Sequence, residues 1–142
     1  MFPYVAENAA QRERLRALVA RLSDADLVRQ VDGEWTVAKV LVHLAFWDRC
    51  RESAFAQWQR GGDMPTPLSP DAINDAVAVL SEAIPLREAG RLAVEAADAI
   101  DRVLEQLPAD KVAAIEAAGM VRMLNRSLHR REHLDQIERA LG

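Results

Sequence analysis

One stretch in the first half of the chain has the strongest helical pattern, and it limits the fold most. At about 100° per residue, its apolar side chains fall within one face about 120° wide. These side chains are Val37, Val40, Leu41, Leu44, Trp47, Phe55 and Trp58. Thr36 is a good N-cap, and Gly61-Gly62 ends the pattern near Arg60. The pattern predicts a long amphipathic helix with one buried face.

Helical periodicity also covers most of the remaining chain. The predicted segments are residues 6–22, 72–83, 86–107, a weak stretch at 112–117, and 120–141. Residues 61–68, rich in Pro and Gly, form the one clear loop. Pro85 then breaks the helical pattern of residues 72–83. Four long helices with a Pro-containing crossover between the second and third predict an all-α four-helix bundle. We expect residues 1–142 to form a single domain.

Composition and charge support this fold class and exclude some partners. Alanine is abundant and aromatic residues are few, which favours helices over sheets. A net charge of −4 argues against nucleic acid as the main partner. Cys50 is the single cysteine, so no intramolecular disulfide forms, and a reducing cytoplasm is expected. No secretory signal and no apolar run near the roughly 20 residues of a membrane span are evident, so we expect a soluble protein without a membrane partner.

All three histidines fall where one metal ion could collect them. His129 and His133 are four residues apart, so they lie one helical turn from each other, and His43 would come from another helix. Three imidazoles leave coordination positions open for water or substrate, as in a reactive site. The alternative is an exposed pair among Arg130, Arg131 and Glu132, with His43 an unrelated interior residue. Periodicity alone leaves both interpretations open.

Two segments resemble motifs of the DinB-like superfamily of small four-helix-bundle proteins. Residues 33–49 are similar to the family's Trp-Ser/Thr…His-Leu segment, and residues 129–137 to its His-x3-His…Gln-Ile ending. The resemblance implies a divalent metal held by His43, His129 and His133, with the site open to solvent on one side. The chain differs at Asp135, where the family often has Gly. Its 142 residues do not include the extra C-terminal domain of the maleylpyruvate-isomerase members.

The resemblance also implies a class of activity. Related members include S-transferases and maleylpyruvate isomerases that use low-molecular-weight thiols such as mycothiol or bacillithiol. The leading hypothesis is a metal-dependent enzyme that transfers such a thiol to an electrophile in stress or detoxification, or else a hydrolase. Zinc and nickel are the favoured ions, with iron as a third, and the resemblance implies a homodimer with a small-molecule substrate. The alternative is a non-enzymatic bundle that binds or sequesters a small molecule, with a structural metal or none.

No separate catalytic acid or base can be assigned from the sequence, but several other side chains are candidates for the site. Asp48 falls on the apolar face of its helix, where it would pair with Arg51 or another arginine, or orient a histidine of the last helix. The sequence allows two interpretations of Glu132: a fourth metal ligand or general base, or a residue on the solvated face of its helix. Cys50 is expected to be a small buried residue.

Two sets of larger side chains complete the list of candidates. The tryptophans are core or dimer-interface residues, or line a substrate pocket: Trp35, Trp47 and Trp58. The arginines of the last segment form a solvated basic face, or bind an anionic substrate: Arg122, Arg126, Arg130 and Arg131.

Overall fold

A computed structural model describes residues 1–142, and most of them lie in helices. The prediction of an all-α protein is confirmed. The elements in chain order are α1 (Val5–Arg21), α2 (Asp24–Leu27), β1 (Gln30–Asp32), β2 (Trp35–Thr36), α3 (Val37–Gln59), α4 (Pro70–Ser81), α5 (Leu86–Glu105), α6 (Ala109–Ala117) and α7 (Ser127–Leu141). No helix combines the length and the apolar content needed to cross a membrane.

The longest helix, α3, lies at the centre of the packing. Thr36 caps it as expected, because its Oγ1 accepts a hydrogen bond from the backbone N–H of Lys39. α3 contacts α4, α5 and α7, and α1 contacts α5 and α7. Leu41 and Leu44 of α3 share one buried apolar cluster with Leu134 and Ile137 of α7. The turns of α3 and α7 that carry the histidines therefore adjoin this packed core.

A two-stranded antiparallel sheet before α3 was not predicted. Gln30 pairs with Thr36 and Asp32 with Trp35. Gly33, at the turn, has a φ of 52°, in the left-handed region that glycine tolerates best. Strands of three and two residues are too short to show a period-two pattern. The sheet leads Trp35 directly into the first turn of α3.

The predicted start of the last helix, near Met120, is wrong. α7 begins at Ser127, and Val121–Met123 instead form one turn of 3₁₀ helix. The cause is Asn8 of α1, which is buried and makes two hydrogen bonds to this segment. Its Nδ2 donates to the carbonyl of Leu124, at 3.0 Å, and its Oδ1 accepts from the backbone N–H of Ser127, at 2.9 Å. A side chain distant in sequence therefore satisfies the first N–H of α7.

Candidate metal centre

The three histidines lie together between α3 and α7. His43 is buried on α3, and His129 and His133 are partly buried one turn apart on α7. Their ring centroids are 4.6 to 5.1 Å apart. The geometry excludes the alternative in which His43 is unrelated to an exposed His129/His133 pair.

The ring nitrogens face one another at distances that suit a shared ligand. Nε2 of His43 lies 3.1 Å from Nε2 of His129 and 3.1 Å from Nε2 of His133. An ion about 2.0 to 2.1 Å from each imidazole nitrogen, as zinc is, accommodates such separations. No carboxylate or thiol joins the group, so its donors are three imidazole nitrogens, which suit zinc, nickel, copper or iron. The three histidines can hold a metal ion.

Hydrogen bonds to the Nδ1 atoms determine which nitrogen carries the proton in the rings of His133 and His129. Nδ1 of His133 is 2.8 Å from Oε1 of Gln136, which accepts, so the proton of the neutral ring is on Nδ1 and Nε2 has a free lone pair. Nη2 of Arg126 is 3.3 Å from Nδ1 of His129. Because arginine can only donate, this contact leaves the proton of His129 on Nε2.

With the protons in these positions, the three Nε2 atoms cannot all form hydrogen bonds within the cluster. If Nε2 of His43 carries a proton, it faces the Nε2 proton of His129, and two donors oppose each other. If Nε2 of His43 carries none, it faces the lone pair of His133, and two acceptors oppose each other. A cation between the nitrogens removes this conflict because it accepts a lone pair from each ring. Ligation by His129 then requires its proton on Nδ1, opposite Arg126, which retains hydrogen bonds to Asp48 and to the carbonyl of Arg122. A bound cation thus relieves the conflict among the three Nε2 atoms at the cost of the hydrogen bond between Arg126 and His129.

The surroundings keep all three rings neutral. Burial, followed by the charge of His133, lowers the pKa of His43 to about 4. Burial and then Arg126 lower the pKa of His129 well below its usual value. Burial also lowers the pKa of His133, although its hydrogen bond with Gln136 acts in the opposite direction. Neutral imidazoles are the form that binds metal, so at neutral pH all three rings are in the protonation state that an ion requires.

We expect the chelator-treated protein to lose stability as the pH falls from about 6.5 to 4. In this range the histidines of the unfolded chain take up protons that His43 in the folded chain does not. The pKa difference of His43 corresponds to about 3 kcal/mol of unfolding free energy. Urea unfolding followed by circular dichroism at several pH values measures the loss. His43→Gln should flatten the slope by up to about 1.4 kcal/mol per pH unit, and an unchanged slope would contradict the lowered pKa.

Two cavities adjoin the histidines, and both are lined by His43, Asn74 and His133. The larger, of about 610 Å³, is also lined by Trp47, by part of the loop before α4, and by several side chains between positions 119 and 133. The smaller, of about 340 Å³, lies beside Trp35 and the small sheet. Small molecules can therefore approach the cluster from two sides.

The DinB superfamily model matches residues 7–137. The chain belongs to the DinB superfamily. No curated protein and no solved structure matches it. The matched range includes all three histidines, so the resemblance inferred from the two motif segments is confirmed.

Both motif segments of this DinB-superfamily chain contribute side chains around the cluster. Trp35 packs its ring edge-on against His43, with centroids 5.6 Å apart, and Gln136 binds His133. Asp135, where the family often has Gly, forms an ion pair with Arg14 of α1 at 2.7 Å. Asp135, the residue that differs from the family motif, therefore links α7 to α1 by an ion pair.

Of the two expected pairings of Asp48, the one with Arg51 does not occur and the one with an arginine of another element does. Asp48 accepts from Nε of Arg126, at 3.0 Å, and lies 3.4 Å from Nη2 of Arg130. Both arginines come from the segment that carries His129. Asp48 does not contact a histidine, but Arg126 lies between them and contacts both Asp48 and His129. Sequence reasoning missed this role of Arg126, and its signal would have been an arginine three residues before His129.

The remaining candidates lie at different places around the site. Arg126 and Arg130 are buried rather than part of a solvated basic face, whereas Arg122 and Arg131 are exposed. Glu132 lines the larger cavity but is exposed and pairs with Arg122, outside the histidine group.

Cys50 is only partly buried. Of the tryptophans, Trp35 and Trp47 line cavities, whereas Trp58 packs against Phe55 and under Lys111.

Proposed function

We propose that this DinB-superfamily protein is a divalent-metal-dependent enzyme that transfers a low-molecular-weight thiol to an electrophile. His43, His129 and His133 would hold the ion, with zinc or nickel favoured and iron as a third choice. The main support is the convergence of three neutral Nε2 atoms beside a cavity of about 610 Å³. When bound, such an ion supplies Lewis acidity that lowers the pKa of a neighbouring thiol or water.

The protein's own residues would position the reactants and hold the rings in place. Gln136 accepts the Nδ1–H of His133 and so directs Nε2 of that ring towards the cluster. Trp47 forms part of the cavity wall and donates its indole N–H to Oδ1 of Asn74, at 2.8 Å. This bond ties α3 to α4, and both helices line the cavity. In the transfer, a sulfur–carbon bond forms, the leaving group departs from carbon, and the thiol proton passes to solvent.

Several finer features belong to the same proposal. α1, α3, α5 and α7 would form the four-helix bundle of the family, as a single domain over residues 1–142. The protein would act in the cytoplasm as a homodimer on a small-molecule substrate. The adjacent exposed side chains Val79 and Leu80 of α4, at 67% and 69% exposure, support an apolar contact between copies.

The test combines metal analysis with a thiol-transfer assay. Protein purified without a histidine tag is stripped with chelator, reloaded with zinc or nickel, and incubated with mycothiol or bacillithiol and a halobimane. We expect the reloaded protein to form the bimane adduct faster than the stripped protein does. A rate equal to the metal-free blank, despite stoichiometric metal, would contradict thiol transfer and favour the binding or sequestration alternative. Absence of stoichiometric metal after reloading would contradict the metal centre itself.

A further inference from the structure

Arg51 differs from the other arginines of the larger cavity because it has no acidic partner. Arg126 is paired with Asp48 and Arg122 with Glu132. Arg51 forms no salt bridge or hydrogen bond with any protein group, and its buried Nε lacks an acceptor. The Nη1 and Nη2 groups of Arg51 are not among the buried atoms, so an anion in the cavity can reach these unpaired donors.

The position of Arg51 relates it to the histidine cluster. His43, Trp47 and Arg51 are spaced four residues apart on α3, so they occupy one face of the helix over about 12 Å. The Arg51 guanidinium lies against the Trp47 ring, 5.5 Å from its centroid. Burial, and then the charge of Arg126, lowers the pKa of Arg51. Arg51 nevertheless stays protonated, since a guanidinium does not lose its proton in proteins.

The two cavities differ in the charges of their walls. Asp32, Asp71 and Asp75 line the smaller cavity, which therefore repels anions. In the larger cavity, after Arg122 and Arg126 are matched with Glu132 and Asp48, the guanidinium of Arg51 is the charge left uncompensated. The two N–H groups of a guanidinium can face two oxygens of a carboxylate or of a phosphate. A single guanidinium charge balances the one negative charge of a carboxylate but not the two of a dianionic phosphate.

We propose that the larger cavity binds a small organic carboxylate, with its carboxylate group on Arg51 and its body along Trp47 towards the histidines. The apolar side chains of Leu68 and Met120 line the same cavity and would cover the uncharged part of the molecule. This inference rests on the proposed function only in treating that molecule as a substrate. The carboxylate belongs either to the thiol or to the electrophile that accepts it.

Binding to chelator-treated protein tests the site independently of metal and of catalysis. The probes are phenylacetate and phenylacetamide, which have one shape and differ in charge, and calorimetric titration measures their dissociation constants. We expect phenylacetate to bind about tenfold more tightly or better, because hydrogen bonds to charged groups are the stronger ones. Arg51→Met should abolish this preference, whereas Arg51→Lys should keep part of it. The control Arg102→Met, at an exposed arginine of α5, should leave the preference unchanged.

Two binding results overturn the proposal: an equal preference in wild type and Arg51→Met, or no saturable binding of phenylacetate by wild type. Where transfer activity is present, matched substrates identify the source of the carboxylate, in a Cys50→Ala background that removes the one thiol of the protein. Arg51→Met raises KM for thioglycolate but not 2-mercaptoethanol if the thiol bears the carboxylate. It raises KM for bromoacetate but not bromoacetamide if the acceptor bears it. Unchanged KM values in both pairs contradict the proposal, whereas failure of transfer alone leaves the binding result to decide.

Discussion

Replacing His129 with alanine is expected to lower the affinity for zinc or nickel by more than about a hundredfold. Loss of a group that merely supports a metal-binding histidine already costs about 10- to 100-fold, and loss of a ligand costs more. In the variant, two imidazole nitrogens remain, those of His43 and His133, with Nε2 atoms 3.1 Å apart. Competition with a chromophoric chelator measures the affinity, and elemental analysis of dialysed protein measures the stoichiometry.

A matched control separates ligation from general damage to the cavity. Glu132→Gln changes another residue of α7 that lines the cavity but lies outside the histidine group, so it should change metal affinity by less than about tenfold. Far-ultraviolet circular dichroism verifies that both variants keep their helices. Tight, stoichiometric binding by His129→Ala would show that His129 is not a ligand. A loss of equal size in Glu132→Gln would show that the carboxylate belongs to the site.

Helical counting could place the histidines on the correct faces but could not bring them together. It put His129 and His133 one turn apart on one helix and His43 on another. The distance between positions 43 and 129 depends on how α3 and α7 pack, which depends on contacts such as that of Leu44 with the apolar cluster containing Leu134. The family motifs supplied the missing information because both segments occur together in that family.

The polar interior shows a second limit of sequence reasoning. A charged residue on an apolar face, such as Asp48, predicts a buried ion pair, but the periodicity of one helix does not identify its partner. Arg126 and Arg130 were expected to share a solvated basic face with Arg122 and Arg131, yet both are buried. The structure starts the helix at Ser127, where Asn8 of α1 satisfies its first N–H. A long-range hydrogen bond therefore places Arg126 before the helix and against Asp48.

Removing the carboxylate of Asp101 is expected to destabilise the protein by about 3 to 5 kcal/mol, the usual cost of breaking a buried ion pair. Both oxygens of Asp101 accept from Arg130, at 2.8 and 3.0 Å, and Oδ2 also accepts from Arg12, at 2.7 Å. Arg130 is 1% exposed, so in Asp101→Ala its one remaining carboxylate contact would be the longer one of 3.4 Å with Asp48, beside hydrogen bonds to the carbonyls of Asn8 and Ala97. Against a typical stability of about 5 to 15 kcal/mol, this loss would be large. Urea unfolding at pH 7 measures it.

The neighbouring turn of α5 offers a control for the same chemistry at the surface. Asp98 pairs with Arg12 and Arg16, but its side chain is 29% exposed, so Asp98→Ala should cost no more than about 1 kcal/mol. Exchanging both partners for apolar residues, as Asp101→Leu with Arg130→Met, should recover part of the loss, since it leaves no unpaired charge at these two positions. Asp48 would still have Arg126 in that double variant. If Asp101→Ala lost no more stability than Asp98→Ala, Arg130 would have to be solvated in the folded protein, contrary to its burial.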